Sequence, residues 1–262
     1  PALLELVGYD AEREELIFFV GESDYQSELT KRGFETCLEE RQFGISATMI
    51  RENPSRYWKY IAQPFSRHFT KKVLIMGSAS NGKTTLAQDL ARYYDAPVSL
   101  EYAREYQIQN NVRDDELTPK DYYYLLLGQY AQTSRLIDSS ANRGLVVADT
   151  NSLVTKAYYD YYLKESPVQD EETDTFDNLF ASILSKEKWD LILFAEPVGA
   201  YVNDGFRDMS MADEAIRSDF SSYLKKLKQQ CLAHIPTVYL AGSYLDNYQA
   251  AKEAIDMIYQ AD

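Results

Sequence analysis

The chain has 262 residues, of which 45% are hydrophobic, and it carries a formal net charge of −14. This length allows one large domain or two modest ones, and the acidic charge argues against nucleic-acid and acidic-membrane partners. Cys37 and Cys231 form no disulfide framework or zinc motif, no signal peptide is visible, and no apolar run approaches the ~20 residues of a membrane helix. We therefore expect a cytoplasmic globular protein.

Residues 1–70 predict a short α/β segment followed by a linker. "ELIFFV" is typical of a buried strand, "SDYQSELTKRG" predicts a helix capped by Ser23 or Asp24 and ended by Gly33, and "FETCLEE" predicts a second strand. A helix start and an aromatic connector follow. Because this segment is small for a domain of its own, we place the domain boundary after residue 70.

Residues 71–262 alternate short apolar runs with helical stretches. The runs are "KVLIM", "PVSLE", "LVVAD", "DLILFAE" and "TVYLAG", which are typical of strands covered on both faces. Between them, "LTPKDYYYLLLGQYAQTSRLI" predicts a helix with Thr118 as N-cap, Pro119 in its first turn and Asp121 in a capping box. The acidic stretch "ESPVQDEETDTFDN" predicts a solvated loop. The pattern predicts an α/β fold with a parallel sheet of about five strands flanked by helices.

The stretch "MGSASNGKTT" fits the phosphate-binding P-loop pattern, and it lies between a predicted strand and a predicted helix, as that motif requires. Backbone N–H groups and the helix N-terminus bind phosphate, Lys83 reaches the β- and γ-phosphates, and Thr84 offers its hydroxyl to Mg²⁺. No guanine-reading motif accompanies it, which argues against a GTPase. ATP and Mg²⁺ are the expected cofactors. The predicted nucleotide-binding residues are Gly77, Ser80, Asn81, Gly82, Lys83, Thr84 and Thr85.

Two carboxylates end predicted strands, where ligands of doubly wound sheets bind. Glu101 ends "PVSLE" and Asp149 ends "LVVAD". One carboxylate can organise Mg²⁺ and the other can accept a proton, although either could instead cap a helix. The long loop "EPVGAYVNDGFRDMS" predicts a lid, in which Arg207 either closes over the phosphates or lies exposed in solvent.

An ordered set of motifs resembles the ribosylnicotinamide kinase domain of the bifunctional NadR family, which joins that kinase to a nicotinamide-nucleotide adenylyltransferase. The motifs are "GSASNGKTTL", "EYAREY", "LLLGQ", "VVADTN" and "NDGFR". Upstream, "ISATMIR" resembles a nucleotidylyltransferase motif, and "NPSRYWKYIAQPF" resembles the connector between the family's domains. The resemblance covers almost the whole chain.

The resemblance implies ATP- and Mg²⁺-dependent phosphorylation of nicotinamide riboside to nicotinamide mononucleotide, a step of NAD salvage. Leu100 departs from the family pattern, which has an aromatic residue there to stack on nicotinamide. Tyr102, Tyr106 or Tyr130 could take over that stacking. The catalytic residues expected are Lys83, Glu101, Asp149 and Arg207, with Thr84 and Asp149 at the metal. The riboside-binding residues expected are Tyr102, Arg104, Tyr106, Gln129, Tyr130, Asn151 and Asp204.

Glu101 is the expected proton acceptor, because its longer side chain can reach outward to an acceptor hydroxyl; its strand is expected beside the P-loop strand. Asp149 is the expected metal organiser, because it is shorter and leads into "DTN", which resembles the acid that orders Mg²⁺ waters beside Thr84. His68 and His234 lack the paired histidine motif of adenylyl transfer, so we expect residues 1–70 to hold only the C-terminal part of an adenylyltransferase domain, without that activity. Two rival functions stay open: a nucleotide-sensing module without turnover, and a deoxynucleoside kinase. Whether the chain forms a homo-oligomer also stays open.

Overall fold

The computed structural model describes residues 16–39, 42–163 and 170–260. The chain divides into two compact units, Pro1–Glu52 and Asn53–Asp262. Residues 53–70, which the sequence assigns to a linker, therefore belong to the second unit. Trp58 illustrates this, because its indole Nε1 donates a hydrogen bond to the Asn142 carbonyl oxygen at 3.0 Å. The domain boundary after residue 70 stays a prediction.

The first unit contains a strand–helix–strand arrangement followed by a short helix. Its elements are β1 (Ile17–Val20), α1 (Ser23–Lys31), β2 (Glu35–Leu38) and α2 (Ala47–Glu52). The two strands pair in parallel, so both predicted strands are confirmed. The expected burial of β1 is wrong, because Ile17 and Phe19 are 42% and 67% exposed on one face of this two-stranded sheet. Gly33, at φ 83°, follows the end of α1 as predicted. The predicted caps Ser23 and Asp24 are wrong, because Glu22 is the extended N-cap residue and the helix has already begun at Ser23.

The second unit is built on a five-stranded parallel sheet, which confirms the predicted fold class. Its strands are β3 (Lys71–Met76), β4 (Val98–Ser99), β5 (Leu145–Asp149), β6 (Leu191–Ala195) and β7 (Thr237–Leu240), in the order β4-β5-β3-β6-β7. The strand of Glu101 was expected beside the P-loop strand, and this is wrong. β5 lies between them, pairing with β3 so that Asp149 is opposite Ile75. Asp149 is therefore the strand-end carboxylate nearer the phosphate loop.

Eight described helices surround this sheet. They are α3 (Gln63–Phe69), α4 (Lys83–Tyr93), α5 (Tyr102–Asn110), α6 (Pro119–Ile137), α7 (Ser152–Leu163), α8 (Asp170–Leu184), α9 (Glu214–Cys231) and α10 (Tyr244–Gln260). The predicted capping box of α6 is confirmed, with the Thr118 N–H donating to Asp121 Oδ2 at 2.7 Å. In the part of the chain that the structure describes, no helix is long and apolar enough to cross a membrane.

The acidic stretch of residues 165–178 was expected to form a loop; its residues 165–169 lie outside the described residues, and for the rest the expectation is wrong. From Asp170 onward its residues lie in α8. The reason is an apolar stripe at helical spacing, in which Phe176, Phe180 and Ile183 are all buried in the core. The described part of this segment is therefore an amphipathic helix with an acidic face, although its charge suggested a loop.

The central strands are covered on both faces, as their continuous apolar runs predict. Leu74 and Met76 of β3 join one hydrophobic cluster, whereas Val73 and Ile75 join the other. All four side chains are fully buried. This two-sided burial holds the carboxyl ends of β3, β5 and β6 rigidly, and the candidate site lies at that edge.

Candidate active site

The phosphate-binding loop between β3 and α4 has a backbone that requires glycine at two positions. Gly77 has φ 148°, and a Cβ atom there would lie 2.3 Å from the Ala195 carbonyl oxygen of β6. Gly82 has φ 72° and immediately precedes α4, so the chain enters the helix through a left-handed residue. The loop is thus pressed against β6 with its backbone aimed at the helix N-terminus, which is the geometry of an anion site.

Polar side chains hold this loop from inside. Lys83 is buried, and its Nζ donates to the Ser78 carbonyl oxygen at 2.7 Å. Asn81 Nδ2 donates to Ser78 Oγ at 2.9 Å and to the Ala195 carbonyl oxygen at 3.2 Å. The Lys83 side chain therefore lies against the phosphate-binding loop, where it is expected to bind the phosphates of the nucleotide. One cavity brings together the predicted residues Ser80, Asn81, Gly82, Lys83, Thr84, Thr85, Glu101, Arg104, Gln129 and Arg207.

Asp149 and Thr84 form the candidate metal site. Thr84 Oγ1 donates to Asp149 Oδ2 at 2.5 Å, and Asp149 Oδ1 is buried without a hydrogen-bond partner in the described chain. Burial raises the pKa of Asp149 to about 6; the Lys83 charge opposes the rise and the Glu101 charge adds to it. A buried carboxylate oxygen beside a threonine hydroxyl fits Mg²⁺, which prefers oxygen ligands. Because its side chain bonds Thr84 and α7 begins only at Ser152, Asp149 is not a helix cap.

Glu101 lies at the turn from β4 into α5 and contributes its side chain to the cavity wall. It is the N-cap residue of α5 by backbone position, yet its side chain makes no capping hydrogen bond. Glu101 thus lines the same cavity as Lys83 and Thr84, and capping does not occupy its carboxylate. This is the placement that a proton acceptor for a bound hydroxyl needs.

Gln129 fixes the turn that carries Glu101. Its side chain is buried, Oε1 accepts the Tyr102 N–H at 2.8 Å, and Nε2 donates to Ser99 Oγ at 3.2 Å and to the Leu100 carbonyl oxygen at 3.3 Å. The Tyr102 ring lies against α6, where a Cβ atom on Gly128 would be 2.0 Å from it. The "LLLGQ" motif on α6 thus holds the turn between β4 and α5 in place.

The tyrosines on the cavity wall differ from those proposed for stacking. Tyr106 donates its hydroxyl to Asp121 Oδ1 at 2.6 Å, and Tyr130 lines a separate groove with Trp189. Neither these two nor Tyr102 belongs to the cavity lining, and Leu100 lines an adjoining groove. The aromatic residues that do line the cavity are Tyr122, Tyr158 and Tyr162. Spacing after the "ADTN" motif could have identified two of them, because Tyr158 and Tyr162 follow Val154 at helical intervals on α7.

Asn151 turns away from the cavity. Its Nδ2 donates to Glu187 Oε2 at 2.8 Å, and Ser152 Oγ donates to the same oxygen at 2.9 Å. Glu187 thereby caps the N-terminus of α7, and burial raises the pKa of this carboxyl. The structure gives Asn151 a role in holding α7, and a riboside contact for it stays a prediction.

The long loop after β6 reaches the cavity through Arg207. It has neither helix nor strand between residues 196 and 208, so the predicted loop is confirmed, whereas its role as a lid stays a prediction. Arg207 lines the cavity, with Nη1 donating to the Val202 carbonyl oxygen at 2.7 Å. The Val202 N–H donates to Ser80 Oγ at 2.8 Å, which ties the loop to the phosphate-binding residues. Asp204 is not part of the cavity lining and pairs with Arg104 and Arg207.

Asp114 is a cavity residue that the sequence prediction missed. It accepts hydrogen bonds from Gln107 Nε2 at 2.7 Å and from the Asp208 N–H at 3.1 Å. Burial raises the pKa of its carboxyl, whereas the two hydrogen bonds lower it. No motif marks Asp114: Gln107 is near it in sequence, but only the tertiary fold brings Asp208 to it. It fixes the end of the lid to the helix that follows Glu101.

The fold and the site define a P-loop protein, and comparison with known proteins agrees. A family model described as an AAA domain matches residues 72–245. A deoxyadenosine kinase from M. mycoides with bound dATP superposes with a TM-score of 0.51 at 10% identity, over 71% of this chain and 99% of the kinase, which shows a shared fold.

Closer relatives identify the family. A NadR protein crystallised with NR is 39% identical, with a TM-score of 0.79 over 97% of this chain and 72% of that chain. The trifunctional NAD biosynthesis/regulator proteins NadR of Salmonella typhimurium and Escherichia coli K12 are 30% and 29% identical, over 90% and 82% of this chain. The chain belongs to the NadR family. It spans about half the length of these two curated relatives, 56% and 50% respectively.

Proposed function

We propose that this chain transfers the γ-phosphoryl group of ATP to the 5′-hydroxyl of nicotinamide riboside, giving nicotinamide mononucleotide and ADP. The observation that carries the proposal is the convergence of Lys83, Thr84, Glu101 and Arg207 on one cavity with three tyrosines. A NadR structure contains NR, and another contains NAD and AMP-PNP, an ATP analogue; the latter is 37% identical to this chain. Both support a chain that binds a riboside and a nucleotide.

The chemistry follows from the placement of the side chains. The 5′-oxygen attacks the γ-phosphorus, the bond to the β,γ-bridging oxygen breaks, and the hydroxyl proton passes to Glu101. Lys83 and Arg207 offset negative charge on the transferring group, while the backbone N–H groups of the phosphate loop hold the phosphates. Thr84 and Asp149 would hold Mg²⁺, which neutralises phosphate charge when bound; the nucleotide would supply further oxygen ligands.

The division of labour between the carboxylates rests on contacts rather than on strand order. Asp149 is engaged by Thr84 at 2.5 Å and lies beside the phosphate loop. Glu101 has no capping bond and lies one strand further out, where an acceptor hydroxyl would meet it. We therefore keep Glu101 as the proton acceptor and Asp149 as the metal organiser, now for a different reason.

The acceptor side of the cavity suits a cationic ring. Nicotinamide riboside carries a positively charged pyridinium ring, and the wall there combines Tyr122, Tyr158 and Tyr162 with the carboxylates of Asp114 and Glu101. Aromatic faces and nearby negative charge both attract such a cation. A neutral nucleoside would lose these attractions, which separates this proposal from a deoxynucleoside kinase.

The test is ADP formation by the purified chain with ATP, Mg²⁺ and one of four acceptors: nicotinamide riboside, thymidine, deoxyadenosine or none. We expect turnover with nicotinamide riboside and only background in the other reactions, with the mononucleotide identified by mass. Turnover with a deoxynucleoside instead would make the chain a deoxynucleoside kinase. Nucleotide binding without turnover on any acceptor would make it a sensing module and would overturn the proposal.

A further inference from the structure

Asp204 of the lid lies between two arginines that reach it from opposite sides of the cavity. Its Oδ2 is 2.8 Å from Arg104 Nη2 and 3.1 Å from Arg207 Nε. Its Oδ1 accepts the backbone N–H groups of Phe206 and Arg207, both at 3.2 Å. One oxygen therefore shapes the turn of the lid, and the other is shared by two cations.

The two arginines belong to different walls of the cavity. Arg104 is on α5, one turn after Glu101, and Arg207 is in the lid, which Val202 connects to Ser80 of the phosphate loop. Both guanidinium groups line the cavity. Asp204 thus completes a chain of polar contacts from the phosphate loop, through the lid, to the helix that carries the proposed proton acceptor.

The contact with Arg207 is electrostatic rather than a full hydrogen bond. Arg207 Nε is buried, and although it lies near the Asp204 carboxylate it has no hydrogen-bond partner in the described part of the chain. The three side chains are between 21% and 30% exposed, so water weakens their attraction only in part. Phosphate oxygens are good partners for such donors and would compete with the carboxylate.

We propose that Asp204 is a positioning residue and an internal counter-ion: it orients Arg207 and Arg104 at the cavity wall and offsets their charge, rather than binding the riboside. The proposal rests on the proposed kinase function. Asp204 has two separate effects. Orientation of Arg207 contributes to the rate of transfer, whereas the negative charge of Asp204 opposes the binding of the nucleotide phosphates.

The Asp204→Asn variant tests both effects, because asparagine keeps an oxygen for the two backbone N–H groups and replaces the shared Oδ2 with an NH2 group. This group carries no charge and cannot accept a hydrogen bond from either arginine. We expect kcat to fall about 10-fold to 100-fold, since the arginine is less well oriented. We expect AMP-PNP to bind about 3-fold to 10-fold more tightly, through Coulomb attraction by two cations that are no longer neutralised. The riboside KM should stay within a factor of about 2.

Two controls make the test specific. Asp219→Asn removes one negative charge from the exposed face of α9 and should leave AMP-PNP affinity unchanged. Asp204→Glu keeps the charge and should return AMP-PNP affinity to the wild-type value while restoring part of kcat. The AMP-PNP measurement is made by calorimetry at low and high salt, and the gain in affinity should shrink at high salt.

The AMP-PNP measurement needs no acceptor, so it stands even if the riboside is not the substrate. Unchanged or weaker AMP-PNP binding by Asp204→Asn overturns the counter-ion role. An unchanged kcat overturns the positioning role, and a raised riboside KM with unchanged kcat makes Asp204 a substrate ligand. Failure of every acceptor with the wild-type chain overturns the proposed function, while the nucleotide affinities still decide the role of Asp204.

Discussion

The phosphate side of the cavity and its lid side are built on different physical principles. On the phosphate side, Lys83 and Asp149 are buried, and each makes a short hydrogen bond to the phosphate loop or helix α4. On the lid side, Arg104, Asp204 and Arg207 are partly exposed and meet as ion pairs. Buried, directed bonds resist rearrangement, whereas partly solvated ion pairs exchange partners at little cost.

This difference assigns different tasks to the two sides. The phosphate side is preorganised, so it can stabilise charge in the transition state without rearranging. The lid side can change partners when phosphates arrive, which is what the predicted lid role of this loop requires. Substitutions on the phosphate side should therefore abolish chemistry, and those on the lid side should divide between kcat and binding.

The largest effect is expected for Lys83→Ala on the phosphate side. It removes the positive charge nearest the β- and γ-phosphates, and kcat should fall by at least about 10²–10³-fold, the loss typical for one preorganised electrostatic group. Steady-state ADP formation measures this, and the far-ultraviolet circular dichroism spectrum should be unchanged. Lys226→Ala, which removes an exposed lysine of α9, should keep wild-type turnover. If Lys83→Ala retained near-wild-type activity, the P-loop would not be the transfer site.

The next effect separates Glu101 from Asp149. Glu101→Gln should keep the affinity for ATP and Mg²⁺ and lower kcat about 10²-fold or more, since general-base assistance is worth that much. Asp149→Asn should move the Mg²⁺ titration of activity to higher concentration, because a charged oxygen ligand becomes neutral. Titrating Mg²⁺ at saturating ATP and riboside tests both variants. A shift with Glu101→Gln and none with Asp149→Asn would reverse the two roles.

The same contrast explains which parts of the molecule the sequence could predict. The phosphate side is encoded in one contiguous stretch, "MGSASNGKTT", and the strands as continuous apolar runs, so both are readable from local pattern. The lid side depends on tertiary contacts, such as the hydrogen bond from the Asp208 N–H to the Asp114 carboxylate. Their partners are far apart in sequence, so no local pattern marks them.

Two incorrect expectations have different origins. Strand order was inferred from order along the chain, yet β5 is inserted between β3 and β4. The acidic charge of "DEETDTFDN" suggested a loop, yet tertiary burial of Phe176 and Phe180 makes it part of α8. The position of β5 depends on long-range packing, on which the order of strands along the chain carries no information. For α8 a local signal was present, the helical spacing of Phe176, Phe180 and Ile183, but the interpretation gave more weight to the acidic charge.

A smaller effect concerns stability and pH on the phosphate side. The pKa of Asp149 is raised to about 6 from 3.8, so the folded protein holds this proton more tightly than the unfolded chain. Between those two pH values the free energy of unfolding therefore falls as pH rises, and above about pH 6 the loss is complete. The Asp149→Asn variant has no carboxyl to ionise and therefore does not lose this stability. It should unfold at a higher temperature than the wild type at pH 7.5.

The gain of Asp149→Asn should be about 1–3 kcal/mol, the scale of a pKa shift of this size. Thermal melts without nucleotide or metal measure it, and the difference from wild type should shrink as pH falls from 6.5 to 4. Thr84 would keep a hydrogen-bond acceptor in the variant. A wild-type chain that is equally or more stable than Asp149→Asn at pH 7.5 would show that the buried carboxylate carries no net penalty.

The smallest effect is expected at Arg217, beneath the lid in the first turn of α9. Its side chain is 6% exposed, and its Nε and Nη1 have no hydrogen-bond partner within the described residues. Stacking on Tyr201, with the guanidinium carbon 5.8 Å from the ring centroid, offsets only about 0.5–1 kcal/mol of the desolvation penalty. Arg217→Met keeps the apolar stem and removes the unpaired charge, so the melting temperature should rise by about 2–4 °C. Arg217→Lys keeps the charge and should bring no such gain. A lower melting temperature for Arg217→Met than for Arg217→Lys would contradict the prediction, because it would show that the buried positive charge stabilises the protein.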